Sequence, residues 1–218
     1  MPGFGMLTDT FDDGVRDPVL WSGSYGDVEE AGGRARVPCT TAFSAYQSAA
    51  VYTLTGSQVA CRVYPPAAGG AAGEALAELL VITAVGGTDG GFSLNRVTGL
   101  LKLISRTGYA DANEVVLTYD PVAHAWLRLR EASGLLLWET SPDGGTWTAR
   151  RTAPAAAWTA DTNLSVILAG HRDSGSGDFA EFDNFNLLRR ARLTSASPAG
   201  AALAPLERSA PAMSGSPA

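Results

Sequence analysis

Near the end of the apolar-patterned body lies Phe179-Ala180-Glu181-Phe182-Asp183-Asn184-Phe185-Asn186. In an extended strand Glu181 and Asp183 project to one side, and Phe182 and Asn184 to the other. Two carboxylates on one face are what acid/base chemistry or a bound cation requires. Near the start, Leu7 to Phe11 reads as a strand that ends in Asp12-Asp13-Gly14. That acidic triplet reads in its own right as a turn, and Asp183 as a residue that hydrogen-bonds backbone locally.

Sugar binding needs aromatic platforms beside hydrogen-bonding groups on a concave face or a loop rim. Trp21, Tyr25, Tyr109 and Trp158 fall in loop-like segments, and His171 with Arg172 and Asp173 sits just after a strand. Tyr109 and His171 lead this set; the competing reading is that such aromatics seal the ends of a core. The other chemistries fail on their residues. The two histidines, His124 and His171, have no G-x-S-x-G elbow to serve. The Gly-rich run Gly86 to Gly91 lacks the Lys and following helix of a phosphate loop and reads as a hairpin connection. Ser141 to Trp147 resembles a shortened sialidase Asp-box, which is a structural turn. Cys39 and Cys61 either pair or remain buried thiols, and no Cys/His cluster points to zinc.

The elements that position these residues are strands. Ala125 to Trp147 alternates cleanly, with Leu127 and Leu129 facing a core and Arg128 and Arg130 on the opposite face. It breaks at Ala132-Ser133-Gly134 and again at Ser141 to Gly145, as an antiparallel hairpin running into a third strand does. Further strands are expected near Ala35 to Pro38, Ser48 to Thr53, Gln58 to Tyr64, Ala77 to Thr83, Gly91 to Arg96, Leu100 to Arg106, Val115 to Tyr119, Asn163 to Ala169 and Phe179 to Leu187. The stretch Glu74 to Ala84 has helical propensity in its first half, but Leu79-Leu80-Val81-Ile82 favours a strand buried on both faces. About a dozen short strands separated by turns define an all-β antiparallel sandwich or barrel. This body occupies residues 1 to 188. Residues 189 to 218, rich in Ala, Ser and Pro, form a tail expected to be disordered or ordered by a partner.

The net charge is −6. The tail has four arginines against one glutamate, or +3, which leaves −9 on the body. An acidic body excludes wrapping nucleic acid, which takes clustered cations, and fits neutral sugars or a divalent cation. No apolar run approaches the roughly 18 residues a membrane helix needs. The start carries no basic and apolar leader of the secretory type. One lysine, Lys102, among sixteen basic residues points to a GC-rich genome.

With its initial strand ending Phe11-Asp12-Asp13, its WLRLRE and LLLWETSPDG hairpin and its terminal Asp183-Asn184-Phe185, the chain resembles the concanavalin A-like lectin/glucanase jelly roll, including the laminin-G-like branch. The resemblance covers roughly residues 7 to 188. It implies an antiparallel sandwich, and it implies a structural calcium held between first and last strands, with Asp12 or Asp13 and Asp183 as ligands. Glycosidases of that group carry three acids on one strand, Glu-x-Asp-x-x-Glu or close to it. Here Glu181 and Asp183 are followed by Asn186, whose amide cannot move the catalytic proton, and the strand lies at the end of the body rather than mid-chain. The expectation is therefore a protein without catalytic activity. The body is also similar to minor tail proteins of phages that infect actinobacteria. That likeness implies a structural or adhesive virion protein, with other virion subunits, including copies of itself, and a host cell-wall glycan as partners. A free carbohydrate-binding module is the alternative.

Overall fold

The structure, a computed structural model, describes residues 1–175 and 177–187; the basic tail expected from residue 189 lies outside them. Two antiparallel sheets face each other. The seven-stranded sheet runs, edge to edge, β1 (Glu29–Glu30), β2 (Ala35–Cys39), β13 (Asp178–Asp183), β4 (Gln58–Tyr64), β9 (Trp126–Ala132), β10 (Leu135–Ser141) and β11 (Thr148–Pro154). The six-stranded sheet runs β3 (Ser44–Gln47), β12 (Ser165–Arg172), β5 (Ala75–Ile82), β6 (Asp89–Asn95), β7 (Leu100–Arg106) and β8 (Val115–Thr118). The two last strands insert between earlier ones, β13 between β2 and β4 and β12 between β3 and β5, which gives the nested jelly-roll order.

Alternation explains the sheets. Leu127 and Leu129 of β9 and Leu136 and Trp138 of β10 point into the core, while Arg128 and Arg130 turn outward and both bond Glu139. The loop is two residues, Ser133 and Gly134, both at positive φ (55° and 78°), as a hairpin turn that follows strand twist requires. The stretch from Glu74 is strand β5, at the centre of its sheet between β12 and β6.

Two expected strands are displaced, for identifiable reasons. Leu7 to Phe11 makes a single bridge, Asp9 to Phe185, after a 3-10 turn over Phe4–Met6. The Asp9 Oδ1 accepts the Phe11 N–H at 2.8 Å, forming a local turn, and Phe4, Leu7 and Phe11 are all buried, a spacing that no alternating strand permits. Ser48 to Thr53 is not a ladder strand either. β3 ends at Gln47, the Ser48 hydroxyl accepts the Val166 N–H at 3.0 Å, and only Tyr52 bridges to Leu164. Cys39 and Cys61 are free thiols, and burial pushes the Cys39 thiol up to about 11.

The sheets are tied across the core. The buried Trp138 indole of β10 donates its Nε1–H to the carbonyls of Gly91 (3.0 Å) and Ile104 (3.2 Å) on β6 and β7. At the same edge, Arg151 of β11 donates to the Leu103 carbonyl and to Asp111, both partners of this ion pair being nearly buried. Gly91 is required there: its φ is 150° and a Cβ would come within 2.1 Å of the Leu79 carbonyl oxygen. Replacing Trp138 by Phe keeps an aromatic ring but takes the indole N–H away from two buried carbonyls. A loss of about 1–3 kcal/mol in unfolding free energy is expected, read from the urea midpoint.

Candidate functional site

The outward face of the six-stranded sheet carries the richest chemistry. Along β5 the core takes Ala77, Leu79 and Val81, so Leu76, Glu78, Leu80 and Ile82 project to the opposite face. Strand register sets their neighbours. Across one row stand Tyr25, Ala45, Ala169, Glu78, Ser93 and Lys102, each paired with the next. The two alanines leave a low floor between Tyr25 and Glu78. Beyond Glu78 the face opens into a hollow of about 490 Å³ whose walls include Phe43, Glu74, Asn95, Lys102 and Tyr109.

Glu78 is the unusual group on this face. It is 9% exposed, and its carboxyl is pushed above the ordinary glutamate value, chiefly by burial, with the Asp89 and Glu74 charges adding to the rise while the Ser93 hydrogen bond and Arg106 oppose it. Asp89 itself is held by a two-pronged contact from Arg106, at 2.8 Å on each oxygen. Glu74, four residues before Glu78 and so on the same side of the strand, is the solvated carboxylate, with 41% of its side chain exposed. His171 Nε2 lies 3.2 Å from it, and the imidazole is stacked on Phe43 with ring centroids 4.0 Å apart and planes 9° apart. The face therefore carries one buried acid, raised by that burial, and one acid exposed to solvent.

The residues expected to bind sugar separate into two groups. Tyr109 lines the hollow, 77% exposed, its ring seated on Gly87, where a Cβ would come within 2.6 Å. His171 reaches the same wall through Glu74 and Phe43. Tyr25 stands in the Glu78 row, and its phenol is raised by burial and by the Glu78 charge. Trp21 and Trp158 are not platforms, which corrects the sequence expectation. Trp21 is fully buried in an aromatic group with Phe11, Tyr46 and Phe185, its Nε1–H donated to Asp9 at 2.7 Å. The polar loop folds it inward because the sandwich end would otherwise stand open. Trp158 packs over Gly90, 2.8 Å from where a Cβ would stand, and closes the core from a 3-10 turn, Ala157–Ala160.

The acids of the terminal strand have structural partners. Glu181 bonds Arg34 (2.5 Å) and Arg36 (2.9 Å) on the outside of the seven-stranded sheet, far from the Glu78 face. Asp183 lies near enough to Asp12 for that charge to raise its carboxyl, behind the larger effect of burial. Asp13 turns instead to Glu30 and to the Val15 N–H. Asp12, Asp13 and Asp183 therefore do not converge, and among the described residues no three His, Cys, Asp or Glu side chains are grouped to hold a metal ion. The carboxylates that the family resemblance implies as calcium ligands are thus not drawn together as one three-acid group.

Glu74 and Glu78 were missed in the sequence although the signal was present. In Glu74-Ala75-Leu76-Ala77-Glu78 the two acids stand four residues apart, a spacing that puts both on one side of a strand. The strand expected there starts at Ala77 and is read as buried on both faces, which leaves Glu74 outside it and gives Glu78 no outward face, whereas β5 runs Ala75–Ile82.

No protein-family model and no curated protein matches the chain. Solved structures do. The fold is similar to the catalytic domain of an endo-1,3-beta-glucanase (laminarinase) from Thermotoga petrophila RKU-1, with a TM-score of 0.60 and 12% identity over 82% of this chain and 94% of that one. It is also similar to a non-specific endo-beta-1,3(4)-glucanase from family GH16 (TM-score 0.58, 10% identity, 82% and 88% covered). A beta-1,3-1,4-glucanase (lichenase) derived from a mouse hindgut metagenome gives a TM-score of 0.57 at 12% identity, covering 82% and 96%. The likeness establishes the concanavalin A-like jelly roll. It also corrects the expectation of a protein without catalytic activity. The three structures named are glucanases, matched over 88 to 96% of their length.

One acid outside the cleft generates a test. Burial, the hydrogen bond with Asp13 and the nearby Asp9 charge raise Glu30 to about 7 from an ordinary value near 4.5. Its Oε2 is buried without a hydrogen-bond partner. A carboxyl raised on folding contributes stability that is fully present below pH 4.5 and is lost as pH climbs through 7. Glu30→Gln should remove this dependence, making the variant more stable than the parent at pH 8 by on the order of 1–3 kcal/mol, with the gap closing by pH 4 in urea titrations.

Proposed function

We propose that the chain is a carbohydrate-active protein that lays a polysaccharide along the outward face of the six-stranded sheet and cleaves a glycosidic bond there. The observation that carries this reading is Glu78, a buried acid with a raised pKa on the floor of an open hollow, sharing a strand face with the solvated Glu74. A carboxyl raised by burial holds its proton to higher pH than an ordinary glutamate; it can give that proton to the glycosidic oxygen as the C1–O bond breaks and take one back from the attacking water. Glu74 supplies the negative charge that meets the developing positive charge on the anomeric carbon, and water contributes the hydroxyl of the new reducing end. Tyr109, in the wall of the hollow, and Tyr25, farther along the Glu78 row, offer faces for sugar rings.

The glucanases of similar fold support a β-glucan as the substrate class. The setting proposed, a virion component meeting a host cell-wall glycan, rests on the sequence resemblance alone. In that setting cleavage would open the envelope rather than merely hold it.

On laminarin and on lichenan, release of reducing ends by the parent chain is expected, with Glu78→Gln and Glu74→Gln each lowering kcat by about a hundredfold or more. The parent's activity should fall on the alkaline side as Glu78 loses its proton, at a pH above the ordinary glutamate range, and any residual activity of Glu78→Gln should lack that limb. Tyr25→Ala should raise KM more than it lowers kcat. Absence of cleavage and of binding on both glucans would sink the reading.

A further inference from the structure

At one end of the sandwich, apart from the Glu78 hollow, lies a second hollow of about 450 Å³ lined by Arg62, Tyr64, Pro66, Arg96, Tyr119 and Pro121, among others. Arg62 comes from the end of β4, Arg96 directly follows β6, and Tyr119 and Pro121 belong to the connection between β8 and β9. Each guanidinium lies over a phenol ring, Arg62 4.8 Å from the centroid of Tyr64 and Arg96 5.4 Å from that of Tyr119. Stacking engages the flat face of a guanidinium and leaves its N–H edge free for a planar or tetrahedral anion.

Among the described residues neither arginine is in an ion pair, although Arg34, Arg36, Arg106, Arg128, Arg130 and Arg151 all are. The Arg96 Nε is buried with no hydrogen-bond partner. The body carries nine net negative charges, yet two acids at this end have other hydrogen-bond partners. Asp120 spends Oδ1 on the Val122 and Ala123 N–H groups at 2.8 and 3.0 Å, and Asp183, which stands opposite Arg62 in the ladder, takes hydrogen bonds from Asn184. The walls are apolar, with Val63 and Ala125 buried and Pro65, Pro66 and Pro121 adding rigid rings. Such walls cover the apolar face of a pyranose and strengthen the field of the cations.

We infer that this end pocket binds an anionic sugar, with Arg62 and Arg96 holding the carboxylate of a uronate or the phosphate of a sugar phosphate. Calorimetric titration of the chain with D-glucuronate, glucose 6-phosphate, glucose and inorganic phosphate tests this. One or both anionic sugars should bind, glucose should not, and inorganic phosphate should bind at least tenfold more weakly than the sugar phosphate. R62Q and R96Q, checked for folding by circular dichroism, should each weaken the bound sugar at least tenfold, and R96K should do the same because an ammonium lacks the planar fork. Glucuronate alone would assign the carboxylate, and glucose 6-phosphate alone the phosphate. Binding of glucose as tight as that of the anions, affinity retained in both R62Q and R96Q, or no bound anion at all would overturn the inference. The readout is independent of glucan cleavage, so it stands or falls apart from the role given to Glu78.

Discussion

A single indole N–H organises the sandwich. Trp138 spans the core from β10 and gives its proton to two carbonyls on the opposing sheet, Gly91 on β6 and Ile104 on β7. Hydrophobic burial holds two sheets together without specifying how they are turned. A hydrogen bond that must reach particular carbonyls through a dry core does specify it, because leaving those groups unpaired costs more than the bond yields. The Arg151 contacts to Leu103 and Asp111 repeat the constraint at the same edge.

The chemistry of the outward face follows from that alignment. β6 and β7 supply Ser93, Lys102, Arg106 and Asp89 around Glu78, and these are the strands that Trp138 fixes. The desolvation of Glu78 arises from its own sheet, since it stands mid-strand between β12 and β6 with aliphatic neighbours along its face. The fold thus buries this acid in the interior of a sheet, and the loops at the ends carry exposed aromatic and arginine groups.

Much of this was legible in the sequence. The alternation of Leu127 and Leu129 with Arg128 and Arg130 fixed the hairpin, its faces and its turn, because a period of two reports burial directly. The all-β class and the two-sided burial of β5 followed from the same pattern. Three-dimensional closure was not legible. Trp21 sits in a stretch of Gly, Ser and Asp that reads as a solvated loop, and only the aromatic group of Phe11, Tyr46 and Phe185, drawn from three distant segments, makes it core. The site was misplaced for a related reason. Glu181 and Asp183 were conspicuous side by side, but Arg34 and Arg36 neutralise the first and Asp12 and Asn184 surround the second. Glu74 and Glu78 become a pair only when the start of β5 at Ala75 and its register put both on the outward face.

The insertion of β12 and β13 into the middle of both sheets has a consequence for biogenesis. During synthesis β2, β3, β4 and β5 emerge long before residues 165 to 183, and each presents an open edge until its central partner arrives. Open apolar edges are templates for pairing with another chain. The nascent protein must therefore hold at least four unsatisfied strand borders until translation nears its end, and its yield should depend on how crowded it is with copies of itself during those seconds.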